Sequence, residues 1–507
     1  MPAKQTAPKL AAPQVKVVRH PSLEERVAEG RQARDRIAPS SHSGWTPAAD
    51  RPDPVGLLEE QDRTREPDLV PVRHGRMMVS PFTFYRGAAR IMATDLAGTP
   101  VAGLDAQLCG DAHLSNFGMF ASPERRLLFD LNDFDETLPG PFEYDVKRMT
   151  ASFVIAGRNN GYSKADSRAV ALTAVRSYRE AMAGFARMPT MDVWYAHYEE
   201  AQLMKVIEGA VAGTAKDEKK AKKAGEKKKE RKESKQDKQL KAAAKQAQKN
   251  IAKAHTRDSL QALSKLCEQV NGQNRIVSQP PVVVPGRDLA ATYGLHEEEI
   301  LPALHDQFHR YRATLQDDRR KLLERFQIVD AARKVVGVGS VGTRAFIILL
   351  QGRDGQDPLF LQVKEATASV LEAHLPKSRY RQHGQRVVEG QRMMQAASDI
   401  FLGWTKGLDA SRHFYWRQLR DMKGSALVET MAPVTLSFYA QICGWTLARA
   451  HARSGDPVAM DAYLGRDDTF DRAITDFSQA YADQNEQDYE EFIKAIKSGR
   501  LQAVEGV

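Results

Sequence analysis

Gly110-Asp111-Ala112-His113-Leu114-Ser115-Asn116 and, shortly after it, Leu127-Leu128-Phe129-Asp130-Leu131-Asn132-Asp133-Phe134-Asp135-Glu136 are the two stretches on which the reading of this chain turns. The first places an aspartate on a loop after a short strand-like stretch, Ala106–Cys109, with an asparagine five residues further on. Asp111 offers an anionic base for an attacking hydroxyl, and Asn116 a neutral oxygen that binds a cation without repelling phosphates. The second is an apolar strand, Arg126–Leu131, running into a cluster of carboxylates. Four carboxylates within seven residues repel one another unless a cation neutralises them, and magnesium favours such oxygen ligands. Asp133 and Asp130 are both candidate metal ligands within this cluster. A polar turn followed by an acidic surface loop would use the same residues, so the decision rests on the remaining chain.

A second pattern lies far downstream. Val335-Val336-Gly337-Val338-Gly339-Ser340-Val341-Gly342-Thr343-Arg344 holds GxGxxG between two β-rich stretches, Val335–Val338 and Ala345–Leu350. Glycines let backbone N–H groups approach phosphates where a side chain would block them. A dinucleotide-binding fold would need a helix directly after the glycines, and Ala345–Leu350 reads as a strand. Gly337, Gly339, Ser340, Gly342 and Thr343 are the expected phosphate cover. A third strand, Leu359–Val363, ends in Lys364, a cation placed to meet phosphates. It resembles the strand-end lysine of protein kinases, which pairs with a glutamate on the following helix; that resemblance makes Glu389, on a helix expected over Arg381–Ile400, its partner, with Glu372 as the alternative. Tyr415–Leu419 reads as an edge strand.

These pieces resemble those of the protein-kinase-like superfamily. Gly110–Asn116 looks like the H-G-D-x-H-x-x-N loop of aminoglycoside and sugar phosphotransferases, with Cys109 in place of the first histidine. Asp133–Asp145 (DFDETLPGPFEYD) is similar to the segment in which their metal-binding aspartate precedes Gly-Pro and a second aspartate. The resemblance implies an α+β, two-lobed fold that uses ATP and magnesium. It makes Asp111 the base, Asn116 and Asp133 the metal ligands, and Lys364 with Glu389 the phosphate clamp. Asp145 would hold the backbone of the catalytic loop, with His113 as further support of the site. The motif order is inverted, catalytic loop before glycine-rich loop, which a circular permutation would explain. The implied reaction is phosphoryl transfer to a small hydroxyl acceptor. Nucleotidyl (AMP) transfer and a non-catalytic nucleotide-binding scaffold are the alternatives. The run from Phe84-Tyr85-Arg86-Gly87 to Asp145-Val146-Lys147-Arg148 also closely resembles a bacterial family, domain of unknown function 2252, from about Pro71 to the C-terminal region without the lysine-rich insert.

Composition agrees with a globular chain. Of 507 residues 42% are hydrophobic, and no stretch is apolar enough to span a bilayer. The N-terminal residues have no apolar core of the kind a secretory signal needs, and the three cysteines lack metal or disulfide spacing. A cytoplasmic location is expected. The net charge is +9, yet residues 216–257 alone carry +11, so the remaining chain sums to −2. The basic balance therefore belongs to an insert, expected as an exposed helix. Weak, non-specific contact with nucleic acid or an anionic surface is open to it. His305 and His309 lie one helical turn apart without a zinc-site glutamate or third ligand, and read as packing or surface residues.

The expected organisation is an extended arm over 1–75, a catalytic-loop part of the helical lobe over 76–210 and a lysine-rich helical insertion over 211–258. A nucleotide-binding lobe over 280–425 and the remainder of the helical lobe over 426–507 complete it. Helices are expected over Phe82–Leu96, Asp145–Arg158, Lys164–Arg187, Val193–Val206, Leu295–Phe326, Leu436–Ala452 and Asp471–Ser498.

Overall fold

The computed structural model describes residues 20–205, 235–294, 296–419 and 422–506. The architecture is mixed α+β. Three short strands, β5 (Tyr198–Glu199), β6 (Cys267–Val270) and β7 (Gln273–Ile276), lie outside the largest sheet, which has six antiparallel strands. The six are β8 (Val283–Pro285), β9 (Gln327–Lys334), β10 (Ala345–Gln351), β11 (Pro358–Ala366), β12 (Gly403–Lys406) and β13 (His413–Gln418). They lie in the order β12-β13-β11-β10-β9-β8. β9 and β10 pair with Arg333 opposite Phe346, so the glycine-rich segment is the connection of an antiparallel hairpin. Two expectations shift here. The first strand is Gln327–Lys334, and Val335–Val338 already belong to the connection. β13, expected at the edge, is flanked by β11 and β12.

Side chains alternate across these strands with period two. Leu359, Leu361 and Val363 of β11, with Phe414 and Trp416 of β13, pack under Phe308, Tyr311 and Leu315. The stacked rings of Tyr311 and Trp416, 4.4 Å apart, mark the centre of that layer. Alternation therefore turns Lys364 and Tyr415 to the opposite face, which looks onto the helical part of the molecule. The covering helix is Glu297–Arg312. The single helix expected over Leu295–Phe326 is divided, with Asp317–Leu323 as a second short one.

The helical part is built on Phe142–Asn159, Lys164–Phe185, Pro433–Ala452 and Thr469–Lys497. Their shared core includes Phe142, Val146, Phe153, Tyr178, Leu447 and Phe477. On its cleft side lie β1 (Asp105–Leu108), β2 (Phe117–Ala121), β3 (Leu127–Leu131) and β4 (Leu138–Pro141). β1 pairs with β4 and β2 with β3, so the loops after β1 and β3 open side by side.

Residues expected as an extended arm are helical where described: Leu23–Arg36, Pro54–Asp62 and Val70–Met77. The segment does wrap the body. Gly30 lies so close to the Pro457–Leu464 helix that an added Cβ would stand 2.1 Å from the Ala459 carbonyl. Arg51 clamps Asp95 and Asp488, each at 2.7 Å. The expected helix Phe82–Leu96 is broken at Ala88 into Pro81–Gly87 and Ala89–Leu96. Two carbonyls near the break are taken by side chains: Arg148 donates to Tyr85 at 2.7 Å and Arg73 to Gly87 at 3.0 Å.

Two further expectations change. Val193–Val206 is interrupted: the helix ends at Tyr195, and Tyr198–Glu199 adds a strand beside β3. Of the lysine-rich insertion, Lys235–His255 is a described helix, and residues 206–234 lie outside the described ones. This helix is not wholly solvated. Ile251 and Ala254 are buried against Leu127 of β3, while Lys245 and Lys249 are exposed. Among the described residues, no helix is long and apolar enough to cross a membrane.

Candidate active-site cleft

The loop after β1 is held from below. Asp145, in the first turn of Phe142–Asn159, accepts from the backbone N–H of Cys109 (2.6 Å) and of Gly110 (3.0 Å). Gly110 has φ +84°, and a Cβ there would meet the Glu136 carbonyl at 2.1 Å, so a side chain fits neither the backbone nor the space. Asp111 then receives Arg148 Nε at 2.8 Å on Oδ1, and its Oδ2 lies 3.8 Å from His113 Nε2. Burial pushes the Asp111 carboxyl above its ordinary range, although Arg148 opposes this. His113 is held well below its ordinary value by burial and by the cations Arg86 and Arg148, so it stays neutral. The Asn116 side-chain amide donates to the Asp111 carbonyl at 2.6 Å, which leaves its Oδ1 outside that bond.

The loop after β3 meets the sheet. Lys364 Nζ lies 3.9 Å from Asp133 Oδ2 and hydrogen-bonds Asp135 Oδ2 still more closely. Tyr415 donates to the other Asp135 oxygen at 2.8 Å. Lys364 is buried, yet Asp133 and Asp135 hold its pKa above the ordinary lysine value, so it remains a cation. Burial works against the Asp133 charge, but Lys364 and Arg417 outweigh it and keep the carboxylate ionised. Glu136 is different. Burial raises its carboxyl to about 7, while it accepts from Val370 N–H at 2.7 Å. Arg386 ties the helix His383–Met394 to this loop through the carbonyls of Thr137 (2.6 Å) and Asp135 (2.7 Å).

One cleft of about 720 Å³ joins these parts. Its walls include Asp111, His113, Asn116, Asp133 and Asp135, and across from them Gly337, Gly339, Ser340 and Thr343. Lys364 and Asp145 lie beneath, reached only through their partners. Gly342 is outside the lining and packs on Arg65, where an added Cβ would come within 3.0 Å of that side chain.

The expected partner of Lys364 needs correction. Glu389 pairs with Arg392, three residues along its own helix, at 3.3 Å. Glu372, the alternative, lies 3.8 Å from Arg386. Lys364 is neutralised by Asp135 instead, because the buried strand end faces the carboxylate loop directly. Asp130, the alternative metal ligand, is fully buried in an ion pair with Arg449, and its other oxygen accepts from Ala396 N–H at 2.9 Å. Of these two aspartates, Asp133 is the one that lines the cleft.

Sequence reading missed four contributors: Asp135, Arg148, Arg65 and Arg86. Asp135 stood within the quoted cluster. Arg148 follows Asp145 by three residues, one helical turn, which puts both under the same loop. Arg65 and Arg86 carried no such signal, because they come from the N-terminal segment that tertiary packing folds over the glycine-rich hairpin. Arg76 donates to the Gly337 carbonyl at 2.6 Å, Arg65 to that of Val341, and Glu66 N–H to that of Gly342 at 2.8 Å.

Among the described residues, no three or more His, Cys, Asp or Glu side chains form a group that could hold a metal ion by themselves. The Asp133 carboxylate and the Asn116 amide both line the cleft, oxygen groups of the kind magnesium binds beside phosphates and water.

The chain matches the model of a bacterial family described as uncharacterized protein conserved in bacteria (DUF2252), over residues 65–247 and 213–495. It belongs to that family. No curated protein and no solved structure matches it.

Proposed function

We propose that the protein is an ATP- and magnesium-dependent phosphotransferase acting on a small hydroxyl compound, with a kinase-like cleft assembled in permuted order. One observation carries this reading: Lys364, at the end of a strand that follows a glycine-rich hairpin, stands 3.9 Å from Asp133 in the carboxylate loop that follows Asp111 and Asn116. A solvated strand-end lysine and an acidic surface turn have no reason to meet from such separate parts of the chain. In this reading residues 280–425 form the nucleotide-binding lobe, and 76–210 with 426–507 form the helical lobe.

Bound Mg·ATP would supply the phosphoryl group and the charge that neutralises it. Asp133 and Asn116 would hold the magnesium. Gly337, Gly339, Ser340 and Thr343 would cover the phosphates, and Lys364, kept cationic by its two aspartates, would lie beneath them. Asp111 orients the acceptor hydroxyl and takes its proton on Oδ2, since Oδ1 is committed to Arg148. Its raised pKa makes it a stronger base than an ordinary aspartate.

Calorimetric titration with Mg·ATP tests the reading, comparing wild type with Lys364→Ala and Asp133→Asn. Both variants are expected to weaken binding by roughly 30-fold or more, about 2 kcal/mol. Undiminished binding in both would overturn it. Release of ADP identifies phosphoryl transfer, and release of pyrophosphate would mean nucleotidyl transfer.

A further inference from the structure

Arg86 is the last residue but one of the short helix Pro81–Gly87, and it lines the same cleft as Asp111 and His113. Its backbone carbonyl touches the glycine-rich hairpin, where a Cβ on Gly339 would stand 2.8 Å away. Arg86 therefore sits at the seam between the phosphate cover and the candidate base.

The other arginines of this wall are occupied. Arg65 donates to the Val341 carbonyl and lies 3.7 Å from Asp62, and Arg90 pairs with Glu60. Arg148 is spent on Asp111 and on the Tyr85 carbonyl. Arg86 differs: among the described residues its guanidinium has no ion pair within 4.0 Å, while its Nε, like that of Arg65, is buried without a hydrogen-bond partner. The acids that act on it, Glu429 and Asp111, do so only from a distance, and burial lowers its pKa. A desolvated guanidinium with unused donors is costly unless a ligand supplies the acceptors, and its fork matches phosphate or carboxylate.

The position of Arg86 selects between the two molecules a phosphotransferase binds. Arg148 ties it to the base side of the cleft, bonding Asp111 Oδ1 at 2.8 Å and the carbonyl of Tyr85, the residue before Arg86, at 2.7 Å. Asp133, on the metal side, faces Lys364 at 3.9 Å. An anion held by Arg86 thus lies where the acceptor must present its hydroxyl.

We propose that Arg86 binds a phosphate or carboxylate group of the acceptor, so that the acceptor is an anionic hydroxyl compound. This rests on the phosphotransferase reading for the word acceptor, but the anion site itself can be measured without it.

The probe is inorganic phosphate, titrated calorimetrically into the full chain with no nucleotide, with saturating Mg·ADP, and with a non-hydrolysable Mg·ATP analogue. The expected result is binding to the wild type under all three conditions, weakened at least roughly tenfold by Arg86→Gln, with Mg·ADP affinity unchanged. Arg86→Lys, which keeps the charge and loses the fork, is expected to weaken phosphate by a smaller factor and serves if Arg86→Gln does not fold. Wild-type phosphate affinity in the folded variants would overturn the proposal. So would phosphate displaced by the ATP analogue but not by ADP, which would make Arg86 a contact to the nucleotide's terminal phosphate. If no nucleotide binds at all, the phosphotransferase reading falls, while the nucleotide-free titration still decides whether Arg86 is an anion site.

Discussion

Lys364 Nζ stands 3.9 Å from Asp133 Oδ2, although the two residues belong to segments separated by the lysine-rich insertion and three strands of the large sheet. The contact joins the carboxylate loop after β3 to the end of β11. The four clustered carboxylates thereby take different tasks.

Asp130 and Asp133 are three residues apart and are expected to respond in opposite ways to the same substitution. Asp130→Asn leaves Arg449 as a buried cation without its counter-charge, which costs roughly 3 kcal/mol or more of folding stability. Asp133→Asn is expected to change the Tm little and to weaken magnesium-dependent nucleotide binding by roughly 30-fold or more. Urea denaturation and calorimetry of the two variants check this; equal loss of stability in both would contradict it.

Asp145→Ala removes the acceptor for two buried N–H groups, those of Cys109 and Gly110. A cost of about 3 kcal/mol is expected, and the loop carrying Asp111 should loosen. Faster amide exchange confined to the neighbourhood of residues 109–116 is the readout. Unchanged exchange there would show that the loop is held by other means.

Glu389→Ala is expected to be nearly silent. Its ion pair with Arg392 is partly exposed and within one helix, worth less than about 1 kcal/mol, and it does not reach Lys364. Asp135→Ala, by contrast, takes away the nearest counter-charge of a buried lysine and is expected to lower both stability and nucleotide affinity. Thermal melts with and without Mg·ATP separate the two outcomes.

Glu136 predicts a pH dependence. Its folded pKa is raised from 4.5 to about 7 by burial, so the fold keeps a proton that the unfolded chain releases. The stability it contributes is complete below about pH 4.5 and is lost as pH rises through about 7. In metal-free protein, the Tm of the wild type should therefore fall by several degrees relative to Glu136→Gln between about pH 5 and about pH 8. Parallel curves for the two proteins would show that Glu136 ionises normally.

Local sequence carried much of the architecture. Glycines at 337, 339 and 342 between β-rich stretches marked the hairpin, and helical periodicity placed Phe142–Asn159, Lys164–Phe185 and Pro433–Ala452 to within a few residues. Where the reading went astray, a distant partner had intervened. The Phe82–Leu96 periodicity is real, yet the helix breaks at Ala88 beside carbonyls taken by Arg148 and Arg73. The N-terminal segment looked poor in aliphatic runs, but Leu69 and Val72 found Val335 and Val341 to pack on. In the lysine-rich helix, Ile251 and Ala254 are enough to dock it beside β3.

The sequence by itself determined which residue types could do chemistry: an aspartate and an asparagine five apart, a run of carboxylates, a glycine hairpin and a strand-end lysine. Those choices are local, because spacing along a loop or strand sets which groups share a turn or a face. Only the tertiary structure decided how charges pair. It gave Lys364 to Asp135 instead of Glu389, sent Asp130 to Arg449, and left Arg86 facing the cleft without an ion-pair partner among the described residues. Burial forces the first two pairings, since a charge removed from water takes whichever opposite charge the fold brings within reach, however far apart the two lie in the chain.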